Sequence, residues 1–385
     1  MKNLLVLNTL HFFNDGFKSS LILLLPFITK DLHISLTQAG LLGSLLNLLA
    51  IIFALPAGYI ASKTGGLKVL ILAIILYSFG FLGTSFSSSY YWLFPTFILA
   101  DIGFGLFHPI SLALIARLAE KTSRGKKLGN FMAVGDLGNI GIPTALTFIV
   151  VLIGWRSTTA IYAVIALIIA FSFLLFYFKN RDIFSNQGKD TTHITFLKII
   201  KHKRFLLALT ANFFDNFASS TLFLLLPFLL LKRNVDPALL GAFAAVFFLG
   251  NFFGKTVLGR IADIFNHAKI FILSELLMAI FIVALATTTN FFIIIICSIL
   301  LGIFTKGTLP IGTAMISEAS EHHGNFEKAF GINTMAANIG TTIAPVLFGF
   351  ISDQLSIVAA FYTMAFIAIL AIIPAFFFNV TSTKS

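Results

Sequence analysis

Apolar residues run for about 20 positions at a time along most of this chain, the length that a helix needs to cross the hydrocarbon core of a bilayer. Short polar segments separate the runs. The pattern predicts an all-α membrane protein with twelve transmembrane helices. The predicted spans are residues 4–29, 37–61, 67–86, 91–117, 128–153, 157–178, 205–231, 237–260, 269–287, 291–316, 329–352 and 355–378.

The composition supports this class and excludes several others. Hydrophobic residues make up 58% of the chain and charged residues only 11%, whereas a soluble domain carries about 25% charged residues. The 46 phenylalanines could not be hidden in one or two soluble cores. A cytosolic enzyme, a nucleic-acid binder and a disordered chain are therefore excluded. The chain also lacks a Walker loop, so we expect no enzyme, no cofactor, no metal site and an ion gradient as the energy source.

The positions of the positively charged residues indicate the topology of the chain in the membrane. With the N-terminus placed inside and residues at the span ends counted with the adjoining loops, the inner segments hold 19 of the 26 Lys and Arg residues, the outer loops hold four and the interiors of the spans hold three. This bias predicts a multi-pass protein of the bacterial inner membrane with both termini in the cytoplasm. The net charge of +11 is thus explained without a nucleic-acid partner.

The two halves of the chain repeat each other. Residues 12–27 (FFNDGFKSSLILLLPF) match residues 213–228 (FFDNFASSTLFLLLPF) without a gap. The same register pairs Gly58 with Gly259. Parallel repeats of this kind are typical of transporters that bind substrate near the bilayer midplane. The predicted domains are two six-helix bundles at 1–179 and 205–385, joined by a cytoplasmic linker with a basic amphipathic segment at 180–204.

The loop between predicted spans 2 and 3 carries a recognisable motif. It reads Gly58-Tyr-Ile-Ala-Ser62-Lys63-Thr64-Gly65, with Lys68 after it, and the second half keeps Gly259 and Asp263. Together with the twelve-span repeat, this loop resembles that of the major facilitator superfamily, Gly-x-x-x-Asp-Arg/Lys-x-Gly. The resemblance implies the fold of that superfamily and a gating role for the loop. Ser62 replaces the acidic residue, which implies a weaker ionic latch in the first half.

Three further segments resemble the fosmidomycin-resistance-type exporters of that superfamily. They are His11-x-x-Asn14-Asp15, Gly105-Leu-Phe-His108-Pro109 and Gly135-x-x-Gly138-Asn139-x-Gly141-x-Pro143. Those exporters have an acidic residue after the His-Pro pair, where this chain has Ile110. The glycine-rich fifth span also resembles the antiporter motif, although its adjacent Gly-Pro is absent. The resemblance implies export by antiport.

One side of predicted span 1 is polar. His11, Asn14, Asp15 and Lys18 fall within an arc of about 100° on an ideal helix, and burying an ionisable group there costs about 2.5–3.5 kcal/mol. One interpretation is that spans 1 and 7 face each other across a polar cavity, with substrate contacts from Asn14, Lys18, Asp215, Asn216 and Lys306. The other is an Asp15–Lys18 pair held within one helix.

Several buried acids and one histidine are candidates for carrying protons. Asp101 and His108 are seven residues apart and share a face of span 4, and Asp136 lies in span 5. We expect proton coupling through some member of Asp15, Asp101, His108 and Asp136. The alternative is that His108 bonds a buried backbone carbonyl and that Asp101 is simply hydrated near the membrane surface.

Lys306 has no acidic residue within its predicted span. A buried ammonium group needs an anion, so Lys306 and Lys18 suggest a substrate with carboxylate or phosphate groups. The equally weighted alternative is an ion pair with Asp215 or Asp15. Glu275, two turns into span 9, is expected to pair with basic groups on the cytoplasmic side.

These observations predict a secondary transporter that exports a small anionic or amphipathic compound in exchange for protons. The first alternative is a proton-coupled importer of an organic anion, such as a carboxylate siderophore or a phosphorylated metabolite. A second alternative is a membrane receptor or scaffold, which the polar faces within the spans argue against. We expect a monomer in the lipid bilayer whose partners are a small-molecule substrate and protons.

Overall fold

The computed structural model describes residues 2–118, 124–179, 202–320 and 326–382, and these residues contain no β-strand. Long apolar runs form helices because a helix satisfies its own backbone hydrogen bonds. The first five helices are α1 Lys2–Leu32, α2 Leu36–Thr64, α3 Gly66–Ser85, α4 Tyr90–Leu118 and α5 Arg124–Lys179. The others are α6 Lys203–Ser219, α7 Leu222–Lys232, α8 Leu240–Phe265, α9 His267–Thr287, α10 Phe291–Ser320, α11 Phe326–Gln354 and α12 Ile357–Ser382, with a short 3₁₀ turn at Pro237–Leu239.

The predicted all-helical membrane class is confirmed. Within the described ranges, nine helical segments are long and apolar enough to cross a membrane. Helix α1 is not among them, and of α2 only Leu36–Leu49 appears, as a shorter apolar helix. The number of twelve crossings stays a prediction.

Two predicted spans differ in detail from the helices. Spans 5 and 6 lie in the single helix α5, which is broken at Gly154, where φ is 78° and ψ is 162°. Glycine adopts a positive φ without the steric cost that a Cβ atom brings. Span 7 is divided into α6 and α7 by a turn at Ser220 and Thr221.

The chain divides into two compact units. The first takes its residues from 1–34, 41–191 and 237–241, and the second from 35–40, 192–236 and 242–385. The predicted amphipathic segment lies almost wholly in 180–201, outside the described residues. The predicted domain boundaries therefore stay predictions.

Aromatic side chains fill the interior of the first unit. Phe17 of α1 packs its ring 5.6 Å from Phe81 and 5.3 Å from Tyr162, and Tyr77 stacks on Phe104 at 4.9 Å. Aromatic pairs at these distances add to the free energy of burial. They fix the depth and rotation of α1, which carries the polar side chains discussed below.

Close helix packing organises the second unit. A Cβ atom on Gly302 of α10 would lie 2.0 Å from the carbonyl oxygen of Phe247 in α8, and one on Gly250 would lie 2.2 Å from that of Ile299. Small residues allow such backbone approach between membrane helices. The position of α10 matters because this helix carries Thr308 and Lys306.

We predict that Arg233 stabilises the second unit at the end of α9. Its guanidinium group donates hydrogen bonds to the carbonyl oxygens of Leu285, Ala286 and Thr288, which the end of α9 leaves without helical partners. Arg233→Ala should lower the free energy of unfolding by about 1–2 kcal/mol, since hydrogen bonds from charged groups contribute at about this level. Thermal unfolding in detergent measures the change. Lys232→Ala, the neighbouring exposed control, should have no effect, and equal melting temperatures for the two variants would contradict the prediction.

Candidate transport site

Asp15 lies between two histidines in the first unit. Its Oδ2 is 3.1 Å from Nε2 of His11, and its Oδ1 is 3.1 Å from Nε2 of His108. The amide of Asn14 also donates a hydrogen bond of 3.0 Å to Oδ1. Helix α1 supplies His11, Asn14 and Asp15, while α4 supplies His108. We call His11, Asp15 and His108 the histidine–aspartate cluster.

The hydrogen bonding of His11 implies a proton between His11 and Asp15. Nδ1 of His11 is 2.7 Å from the carbonyl oxygen of Phe131, and a carbonyl only accepts, so Nδ1 carries a hydrogen. A neutral His11 would then turn an unprotonated Nε2 toward a carboxylate oxygen. One additional proton, on the imidazole or on the carboxyl group, removes this repulsion.

The cluster connects an accessible group to a buried one. The side chain of His108 is 38% exposed, that of Asp15 is 17% exposed and that of His11 is fully buried. A proton taken up at His108 can therefore reach His11 through the Asp15 carboxylate. The three donor atoms lie within 4.8 Å of one another, which also suits a divalent metal ion.

Helix α5 holds the cluster in place. The ring of His11 stacks on Phe131 with centroids 3.8 Å apart. A Cβ atom on Gly135 would lie 2.4 Å from Cε1 of His11 and 2.7 Å from Oδ2 of Asp15. One helical turn further on, a Cβ atom on Gly138 would lie 2.0 Å from the carbonyl oxygen of Phe12. The glycine-rich motif thus provides the space in which the cluster sits.

We predict that Gly135→Ala impairs proton coupling. The added methyl group cannot fit unless His11 or Asp15 moves, and the stacking on Phe131 resists that movement. Substrate-driven proton flux in membrane vesicles should fall roughly tenfold, because a displacement that costs about 1.4 kcal/mol corresponds to a factor of ten. Gly129→Ala is the matched control, because a Cβ atom there has nothing within 4 Å. If both variants behave alike, Gly135 does not position the cluster.

Asp101 and Asp136, the other proton candidates of the first unit, are also buried. Asp101 is fully buried and accepts a hydrogen bond of 3.0 Å from the backbone N–H of Leu49 in α2. The alternative of a hydrated Asp101 is therefore wrong. Asp136 is 8% exposed and follows Gly135 in α5.

The intrahelical Asp15–Lys18 pair is absent. Asp15 contacts the two histidines instead, and Lys18 makes no hydrogen bond or ion pair with any described residue. The alternative prediction was that His108 bonds a buried backbone carbonyl. In the structure it is His11 that makes such a bond. Lys18 is partly exposed on α1 and is available to an anion.

The second unit has its own polar group around α6. The hydroxyl of Thr308 lies 3.1 and 3.2 Å from the two carboxylate oxygens of Asp215. Asn212, the repeat counterpart of His11, donates hydrogen bonds of 3.0 Å to the carbonyl of Gly312 and to Oδ1 of Asn333. Asn216 donates one of 2.8 Å to the carbonyl of Asn212. The first helix of each repeat thus carries buried polar side chains.

Lys306 is exposed on α10 and acts electrostatically on Asp215. Asp215 is only 4% exposed, whereas Asn216 is partly exposed. Both interpretations of Lys306 therefore stay open, because it is close enough to influence Asp215 and accessible enough to meet a soluble anion.

The expected role of Glu275 is wrong. Its side chain is fully buried in α9, and its carboxyl group interacts with that of Asp215 rather than with a basic group. Other charged groups of this unit form a separate network, in which His267 contacts Glu318 at 2.6 Å and Arg204 contacts Glu318 at 3.3 Å. Helix periodicity gives no register between α6 and α9, so sequence reasoning missed this contact.

The gating-loop residues divide between the two units. In the first unit, Gly65 precedes α3 with φ of 103°, and Lys63 and Lys68 are exposed. In the second, Asp263 lies 3.1 Å from Nε2 of His267, and a Cβ atom on Gly259 would touch Pro310 at 3.4 Å. For Gly58 only the helical backbone of α2 is described. The gating role stays a prediction.

Several of these long apolar helices carry buried ionisable side chains. Such side chains are costly to place in a bilayer and commonly mark the path of an ion or a substrate, so they favour a membrane transporter over a receptor. The chain belongs to the Major Facilitator Superfamily, whose family model matches residues 7–233 and 208–385. It is therefore a multi-pass membrane transporter that works by alternating access, and it is not an enzyme.

Relatives and a solved structure agree with this membership. The chain is 27% identical to a putative metabolite transport protein of Haemophilus influenzae, with 93% of this chain and 89% of the relative covered. It is 25% identical to a probable L-galactonate transporter of Escherichia coli, with 85% and 77% covered. The crystal structure of a bacterial homolog of the human lysosomal transporter Spinster has the same fold, with a TM-score of 0.77, 15% identity and coverage of 99% and 96%.

Proposed function

We propose that this protein is a proton-coupled secondary transporter of a small anionic or amphipathic compound, working as an antiporter in export. The observation that carries the proposal is the position of Asp15 between two imidazole groups. An imidazole nitrogen can accept and donate a proton, so His11 and His108 can exchange protons with Asp15 during a transport cycle. Asp101 and Asp136 remain further candidates for the same route.

The accessible lysines support an anionic substrate. Lys18 and Lys306 each place a positive charge within a predicted span, and both are at least partly exposed. We assign anion contacts to these two side chains and polar contacts to Asn216. Asn14 and Asp215, the other candidates, are buried; Asn14 positions Asp15 through its amide. A relative named for L-galactonate, a carboxylate, is consistent with this class.

Four finer features belong to the same proposal. They are twelve membrane crossings, an inner-membrane location with both termini in the cytoplasm, a monomeric state and a likeness to the fosmidomycin-resistance-type exporters. The charge bias of the loops supports the orientation. The His-x-x-Asn-Asp and Gly-x-x-His-Pro segments support the likeness, since His11, Asp15 and His108 of these segments form the cluster.

Everted membrane vesicles test the direction of transport. Vesicles that are acidified inside and loaded with a pH-sensitive dye are screened against small carboxylates and phosphates. Antiport predicts proton efflux on adding the substrate, absent from vesicles without the protein. Proton-coupled import, the second candidate, predicts instead that intact cells accumulate the compound with proton entry. That result would contradict export while keeping Asp15 as the proton carrier.

A further inference from the structure

A second group of ionisable side chains lies in the interior of the second unit. Asp215 of α6 and Glu275 of α9 are 4% and 0% exposed, their carboxyl groups interact with each other, and neither oxygen of Glu275 has a hydrogen-bond donor among the described residues. Two buried carboxylates have only acceptors and repel each other, whereas a proton on one of them allows a hydrogen bond between the two. The pair therefore holds one proton.

The surrounding donors indicate which carboxyl group carries that proton. Asp215 accepts a hydrogen bond from the hydroxyl of Thr308 at 3.1 Å and interacts electrostatically with Lys306. Neither oxygen of Glu275 has a conventional donor among the described residues. A protonated Glu275 that donates to an ionised Asp215 satisfies both groups.

Other charged groups near this pair are accounted for. Helix α9 packs against α10 and α12. Helix α10 contributes Lys306 and, near its end, Glu318, which is bound to His267 and Arg204. The described residues of α12 include no Asp, Glu, Lys, Arg or His. Glu275 therefore depends on Asp215 for its interactions.

We propose that Glu275 and Asp215 form a second proton-binding site, in which Glu275 carries the proton and Asp215 accepts its hydrogen bond. The proton comes from the aqueous phase and returns to it, and no other bond changes. The inference rests on the proposed proton-coupled function and deepens it. With the histidine–aspartate cluster in the first unit, each transport cycle would move two protons.

Infrared spectroscopy of the purified full-length protein tests the site without a substrate. At neutral pH, the wild-type protein should show the C=O stretching band of a protonated carboxylic acid. Glu275→Gln should weaken this band, because the amide keeps a donor for Asp215 but carries no acid proton. Glu318→Gln is the control and should leave the band intensity unchanged. An acid band of the same intensity in Glu275→Gln and in the wild type would overturn the proposal.

A second measurement uses only the wild-type protein, so it tests the site even if Glu275→Gln does not fold. Carboxyl ¹³C labelling of glutamate in the wild-type protein should shift the acid band to lower frequency. The absence of any acid band, or a band that shifts only with labelled aspartate, would contradict the assignment. Neither experiment involves transport, so the proposed antiport can fail while the site stands.

Proton stoichiometry then tests its role in transport. In proteoliposomes, Glu275→Gln should move about half as many protons per substrate as the wild type, a twofold change. An unchanged ratio would show that Glu275 is not a coupling site, even if transport in both proteins remains proton-dependent.

Discussion

Replacing Asp15 by Asn is expected to leave substrate exchange intact and to reduce proton-driven accumulation. The amide keeps the size of the side chain and its contact with His108, but it cannot exchange a proton with two imidazoles. One pH unit is worth about 1.36 kcal/mol per coupled proton. A gradient of one unit should therefore sustain about tenfold less accumulation in the variant for each proton lost. Proteoliposomes with imposed gradients measure this ratio.

Asp31→Asn is the matched control for Asp15→Asn. It makes the same substitution in the same helix, at an exposed carboxylate whose partner is Arg156 at 2.6 Å. An exposed ion pair contributes about 0–1 kcal/mol to stability, so coupling should be unaffected. If Asp15→Asn accumulates substrate as well as Asp31→Asn does, Asp15 has no part in the proton route.

Replacing Lys306 by Ala is expected to weaken strongly the binding and transport of an anionic substrate. Removing one partner of a close charge pair costs about 2 kcal/mol or more, which corresponds to roughly thirtyfold weaker binding. Lys18→Ala should show a loss of similar size, because Lys18 makes no ion pair with another described residue. Lys255→Ala, which removes a lysine from α8, should transport normally. The measurement is the concentration dependence of substrate-driven proton flux.

A double variant separates anion binding by Lys306 from charge compensation. If Lys306 only balances Asp215, then Lys306→Ala combined with Asp215→Asn should recover transport, because no unbalanced carboxylate remains. If Lys306 binds the substrate, the double variant should stay inactive. Recovery to wild-type flux would remove Lys306 from the anion site.

Features set within one helix could be predicted from the sequence. His11 and Asp15 are four residues apart on α1, so their shared face follows from helical geometry, and their contact of 3.1 Å agrees with it. The apolar runs gave the helices of both units. The internal repeat also pointed to Asp215 as a buried polar group.

Contacts between helices could not be predicted in the same way, because periodicity does not set the depth and rotation of one helix against another. The spacing of Asp101 and His108 predicts a shared face of α4, but it could not predict the hydrogen bond that Asp101 accepts from the backbone N–H of Leu49 in α2. Glu275 was expected to meet basic groups and meets Asp215 instead. The turn that divides α6 from α7 also lacks a local signal as strong as glycine or proline at that point.

The most direct test of proton coupling at Asp15 is the proton flux that accompanies substrate movement in proteoliposomes containing either the wild type or the variants Asp15→Asn and Asp31→Asn. Wild type and Asp31→Asn should move protons opposite to the substrate in a fixed ratio. The Asp15→Asn variant should exchange substrate with that ratio lowered by at least one proton. An identical ratio in all three proteins would contradict the assignment of proton coupling to the histidine–aspartate cluster.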